Sequence, residues 1–246
     1  MSQEDEALGA ERAAADDRSR LALRERFTAE LPRLHALAYL ATGDIGQARD
    51  VLTALEAPGE EFAAASASDV VLATLVRALV DRLGRHASRS LNVLEDTIRS
   101  EATSPIDLAA SPIDGVEERI PVLLGELRRR CLGWVLLTVP PLRRIAWILV
   151  EVLGVPTDAA AEMLNTTSVG LDVLLRRARA ALTDYLEPRC GHLARPGYCT
   201  CESRLGVAQA AQFVGFAAEP SSPPPKPGPF TSIVELFRSL PPETGS

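Results

Sequence analysis

Four side chains within a dozen residues have the types and spacing to hold a metal ion: Cys190, His192, Cys199 and Cys201. A Cys-x-His pair and a Cys-x-Cys pair offer three thiolates and an imidazole, the donor set of a tetrahedral zinc site, structural or sensory. Gly191, Pro196 and Gly197 would let so short a stretch fold back on itself. Alternatively the same cysteines are reduced thiols in an intracellular tail, where disulfides are rare. The remaining cysteine, Cys131, lies beside Leu132 and Trp134 and reads as a small core residue outside this group.

A second set of chemically capable residues precedes it. Thr166, Thr167 and Ser168 offer hydroxyls, and Arg176, Arg177 and Arg179 offer guanidiniums. Such groups near the head of a helix and along it suit base edges and phosphates. No paired carboxylates, no Ser-His-Asp order and no phosphate loop stand out, so no catalytic residue is assigned and the chain reads as a non-enzyme.

Helices must position these groups. Apolar content is 46% with only 4% aromatic residues, the profile of a mainly helical protein. Pro140 and Pro141 end one helix and permit another, whose Ile145, Ile148, Leu149 and Val152 recur at helical spacing up to a stop at Gly154. A short helix follows over 157–164, with Thr157 as its N-cap. After the turn Asn165-Thr166-Thr167, a longer helix from Ser168 to about Leu186 carries Leu171, Leu174, Leu175, Ala178 and Leu182 on one face. Two helices across a short turn, the second longer and arginine-rich, form a helix-turn-helix pattern.

The residues of this run resemble a narrower family. Pro140-Pro141, Arg144, Glu151, Leu153-Gly154, Ala161-Glu162, Leu164 and Arg177-Ala-Arg-Ala-Ala-Leu182 are similar, without a gap, to region 4 of extracytoplasmic-function (ECF) sigma factors of RNA polymerase. Leu34 to Asp50, with Thr42-Gly43-Asp44 at its centre, resembles the start of region 2. The resemblance implies two all-α domains, core RNA polymerase and promoter DNA as partners, and an anti-sigma factor as antagonist. For the DNA contacts it implies, Thr166, Thr167, Ser168, Arg176, Arg177 and Arg179 are available.

Several positions depart from the family pattern. Thr53 and Ala54 stand where a glutamine and a glutamate help dock on the polymerase, and Leu72 and Arg77 stand near the tryptophan and asparagine that read the −10 element. On the second helix Gly170, Asp172 and Leu174 replace threonine, lysine and arginine. An alternative function follows: a sigma-derived regulator that acts through protein partners or metal and does not melt promoters.

The net charge of −7 is unlike that of a strong nucleic-acid binder acting alone. Residues 1–17 have neither a basic start nor an apolar run, so no signal or transit peptide is expected and the protein is read as cytoplasmic, with no membrane association. The expected order is a disordered start (1–19), a region 2-like helical domain (20–99), a flexible linker (100–115), and a region 4-like domain (116–188). A Cys/His segment (189–217), a proline-rich spacer (218–230) and an amphipathic helix (231–240) follow. Arg128-Arg-Arg130 reads as a solvated helix face, and a further helix is expected over 205–216. Ser232 and Glu235 have capping-box spacing before Ile233, Leu236, Phe237 and Leu240. That apolar peptide is expected to dock, on its own chain or on a partner.

Overall fold

The computed structural model describes residues 28–55, 67–84, 90–94, 96, 116–193, 197, 199–210, 213–214 and 228–240. Among these every regular element is a helix, with isolated β-bridges the only extended pairing, so the expected all-α class holds. The linker 100–115, the N-terminal 1–27, Phe62 and most of the proline-rich spacer lie outside the described residues.

The first helix, α1, covers 28–42 and buries Leu34, Leu37, Ala38 and Ala41. Gly43 ends it at φ +67°, its N–H donating to Tyr39 O at 2.7 Å. A side chain there would also collide with Leu137, since a Cβ would lie 2.2 Å from Leu137 Cδ1, so glycine is required twice over. Asp44 then caps α2 (Ile45–Leu55) by accepting from Gln47 N at 2.8 Å. The third helix, α3 (Ala67–Leu83), packs on α2 and buries Val71, Leu72, Leu75, Val76 and Leu79.

A single turn, α4 (Leu91–Leu94), leads towards α5 (Val116–Leu137), on which it packs. The latter contains Pro121. Pro140 is extended (ψ 140°) and Pro141 opens α6 (Pro141–Trp147), the arrangement proline's fixed φ favours. This helix continues as a π-helical turn, Ile148–Val152, which the apolar spacing did not reveal. Gly154, at φ +69°, closes it, with Leu153 N donating to Ile148 O and Val155 N to Leu149 O, both at 2.9 Å. The next helix, α7 (Thr157–Met163), has Pro156 as N-cap and no side-chain cap bond; Thr157 is its first helical residue rather than the expected cap. After the turn comes α8 (Ser168–Leu186), packed mainly on α6 and α7.

The helices before and after 100–115 touch: α3 packs on α6 and α7, and Arg33 Nη2 donates to Leu153 O at 3.4 Å. One apolar cluster runs from Leu34 to Phe237, with Trp147 its largest fully buried side chain.

The extension is ordered where it is described. The helix expected over 205–216 is instead α9 (Cys201–Ala210). Thr200 starts it, accepting from Ser203 N at 3.2 Å, a cap that a search for apolar periodicity passes over. The last helix, α10 (Ile233–Arg238), follows a capping arrangement shifted by one residue. Ser232 Oγ accepts from Glu235 N at 3.1 Å, while the Glu235 carboxylate accepts from Thr231 N and Oγ1 at 2.9 and 2.8 Å.

This peptide docks on its own chain. Leu236 and Phe237 are buried, and Phe237 meets Trp147 edge-on at 4.9 Å between ring centroids. Arg238 Nε donates to Glu151 O at 2.7 Å, satisfying a carbonyl at the end of the π turn. Upstream, buried Phe230 donates from its N–H to His192 O at 2.7 Å, and the Arg128 guanidinium lies 5.8 Å from its ring centroid. Arg128 is therefore buried rather than part of a solvated face, while exposed Arg130 pairs with Glu126 at 2.9 Å. No helix among the described residues is long and apolar enough to cross a membrane.

Candidate functional site

The turn before α8 is built from the threonines that the sequence marked for DNA. Asn165 takes a positive φ of 49°, and Thr167 becomes the N-cap, accepting from Gly170 N at 3.1 Å. Thr166 is half-buried, and its Oγ1 would lie 2.5 Å from a Cβ on Gly170. Glycine at 170 leaves room for that hydroxyl, a local gain set against its cost of about 1 kcal/mol in a helix. Ser168 Oγ approaches Asp158 Oδ1 at 3.5 Å. Thr167→Ala should lower stability by about 1 kcal/mol, and Thr167→Ser should retain most of the cap; urea unfolding at pH 7 measures both, and equal midpoints for all three chains would remove the cap from Thr167.

The face of α8 opposite the core carries Ser168, Val169, Asp172, Arg176, Arg177 and Arg179. Val169 is 74% exposed. The other face buries Leu171, Leu175, Ala178 and Leu182. Leu174 also packs against the core, so it is a structural residue rather than a failed base contact. Arg179 donates from Nε to Glu151 Oε1 at 2.8 Å, and its Nη2 contacts the same oxygen. An ion pair inside this half of the chain thus engages Arg179, while Arg176 and Arg177 stand exposed on the same helix.

The other half shows a comparable division. Leu72, which stands near the family's base-reading tryptophan, is 2% exposed and lies in the core, out of reach of any base. Arg77 is exposed, Leu83 is buried, and Arg82 Nη2 reaches Asp50 Oδ2 at 3.4 Å across α2 and α3.

The four predicted metal donors lie around one fold-back. Residues 190 and 199 form a parallel bridge, with Cys199 N donating to Arg189 O (3.0 Å) and Gly191 N to Cys199 O (2.9 Å). Gly197 passes so close to Arg189 that a Cβ would lie 2.4 Å from its backbone, so only glycine lets the strands meet. Cys190 and Cys199 are buried, Cys201 opens α9, and His192 Nε2 sits 3.2 Å from Cys201 Sγ. Burial pushes the Cys201 thiol well above its usual range; the Cys131, Cys190 and Cys199 thiols add to this and Arg128 opposes it. Burial, then the Arg128 guanidinium, lowers the His192 imidazole pKa against the pull of Glu202.

No disulfide joins the cysteines, and among the described residues no three His, Cys, Asp or Glu side chains stand closely enough to close around a metal ion. Sequence reasoning missed Arg128, whose guanidinium acts on both His192 and Cys201; Cys131 packs against the core as expected.

No protein-family model and no curated protein matches the chain. Among solved structures it is similar to the Mycobacterium tuberculosis extracytoplasmic function sigma factor SigJ, at 23% identity and a TM-score of 0.44, over 66% of this chain and 54% of that one. The chain thus spans about half the length of that protein.

Proposed function

We propose that the protein is an ECF-type sigma factor, which binds core RNA polymerase and directs it to promoter DNA, with an anti-sigma factor as antagonist. The observation that carries this is α8: a capped helix with its apolar face packed on α6 and its exposed face bearing Arg176 and Arg177. In this reading α7 and α8 are a helix-turn-helix, and the head of α8 enters the major groove. Thr166 and Thr167 hold the geometry of that head. Ser168, Arg176 and Arg177 meet the DNA, and Arg179 does so by exchanging Glu151 for phosphate. Residues 20–99 and 116–188 are the two working units, and the protein acts in the cytoplasm.

The Cys/His segment is proposed to take zinc. Ligands at 2.0–2.3 Å from a tetrahedral ion lie about 3.3–3.8 Å apart. The 3.2 Å between His192 Nε2 and Cys201 Sγ is close to such an edge, and Cys190 and Cys199 face each other on the bridge beside it. A zinc ion there would act as a structural cross-link or a sensor.

A second reading, a sigma-derived regulator that does not melt DNA, is favoured by the burial of Leu72 and by Asp172 on the exposed face of α8. Affinity capture of purified core polymerase followed by run-off transcription separates the two. Capture with promoter-dependent transcripts is expected of a sigma factor; capture without a transcript from any genomic fragment selects the regulator. Gain of transcription in Asp172→Lys would show that phosphate repulsion at α8 was the obstacle, while no capture by polymerase would overturn the sigma-factor proposal.

A further inference from the structure

Cys190 and Cys199 are paired in register on an isolated parallel bridge. Cys199 makes both of its backbone bonds: its N–H donates to Arg189 O at 3.0 Å, and its carbonyl accepts from Gly191 N at 2.9 Å. Chains paired in this way lie about 4.7–4.9 Å apart, with in-register side chains on the same face. That spacing falls inside the range of about 4.4–6.8 Å between Cα atoms that a disulfide spans. Two glycines leave this register little slack. A Cβ on Gly191 would lie 3.2 Å from Cys199 O, and one on Gly197 would lie 2.4 Å from Arg189 O. Both side chains are buried, and no disulfide joins them. Cys201 is placed differently, opening α9 with its Sγ 3.2 Å from His192 Nε2, and Cys131 lies on α5; neither takes part in a bridge.

We propose that Cys190 and Cys199 are a redox modification site, which a small hydroperoxide converts into a disulfide across the bridge. The two thiols give up two protons and two electrons, and one S–S bond forms. The O–O bond of the oxidant breaks to give an alcohol and a water, or two waters from hydrogen peroxide. At 8% and 9% exposure the two residues admit an oxidant of that size and shut out a second protein chain. A partner thiol held alongside captures the first oxidation product as a disulfide before the sulfur is oxidised further. A dithiol reductant reverses the step by exchange. This site goes beyond the zinc reading and does not rest on it: a disulfide would remove two of the proposed ligands, so the two states exclude each other.

Closing the bond bears on the tail. At this bridge the fold-back of the dithiol form is held by two backbone hydrogen bonds. Just beyond it His192 O accepts from Phe230 N at 2.7 Å, and Leu193 is bridged to Phe230. Phe230 leads through Thr231 into Ser232, the cap of α10. Local opening of the bridge loosens this seat, and a covalent link suppresses such opening. The oxidised chain therefore holds the base of α10 more firmly than the reduced one.

The test uses the full chain, reduced and kept in chelator, then treated with a small excess of hydrogen peroxide. Unreacted thiols are capped in denaturant, the chain is cut after Leu193 and Tyr198 with chymotrypsin, and the peptides are mapped without reduction. Loss of two thiols per chain is expected, with Cys190 linked to Cys199, Cys131 and Cys201 capped, and all thiols restored by dithiothreitol. Hydrogen exchange at the Phe230 amide should slow by about tenfold or more in the oxidised chain. Cys201→Ser should still form the bond, and Cys199→Ser should not. Mapping of the wild type does not depend on whether either variant folds. Unchanged thiols, linkage through Cys131 or Cys201 instead, or sulfinic acid without a disulfide would overturn the site. A formed bond with unchanged exchange at Phe230 would overturn its link to the tail. Metal takes no part in these readouts, so failure of the zinc reading leaves the site standing.

Discussion

Phe237→Ala should destabilise the protein by about 3–5 kcal/mol, the usual cost of deleting a buried aromatic ring. The ring is 2% exposed and lies against the indole of Trp147, itself in the centre of the core. Its loss removes the edge-to-face contact and opens a cavity where α10 crosses the π turn and α8. The expected spectroscopic sign is a red shift of tryptophan emission as water reaches Trp147, because Trp134, the other indole, contacts Phe213 instead. Arg238→Ala should cost only about 1 kcal/mol, since one hydrogen bond at a solvent-facing site is lost. Thermal unfolding and emission spectra measure both; an unshifted emission maximum in Phe237→Ala would mean that α10 is not seated on Trp147 in solution.

The second large effect concerns DNA. If α8 lies against the duplex, each arginine that neutralises a phosphate adds about one to the salt slope of binding. Arg176→Ala, Arg177→Ala together should therefore lower that slope by about two and weaken affinity on every sequence, not at one base position. Arg179→Ala alone should do less, because its guanidinium is already paired with Glu151 and must leave that partner to reach a phosphate. Fluorescence anisotropy on a promoter fragment between 50 and 200 mM salt reads these slopes. An unchanged slope in the double variant would take α8 off the DNA and favour the regulator.

Much of this architecture was legible because local signals agreed with one another. Pro140-Pro141, Gly154 and the threonine turn punctuate the second half, and the leucines between them repeat at helical spacing. Gly43 marked a break that the structure explains through both its φ and the approach of Leu137. Signals that depend on distant partners were invisible. Nothing local says that Arg128 sits under Phe230, because that depends on how the extension crosses α5. The same reason hid the fate of Arg179, whose acid partner is 28 residues earlier. Leu174 shows the opposite case: a type that offers a base no hydrogen bond packs against the core instead. The α9 boundary was missed because its start is set by the hydroxyl of Thr200 rather than by apolar repeats.

The end of the π turn is gripped by two arginines, Arg33 on Leu153 O and Arg238 on Glu151 O, the second 87 residues further along the chain. On a translating ribosome the first hand is made long before the turn and the second long after it. At about 5–20 residues per second, the interval between Glu151 and Arg238 is roughly 4–17 s. During that time the Trp147 core stands open on one side, and a chain released early never closes it. The last described helix thus covers the Trp147 side of the core only once synthesis has passed Arg238.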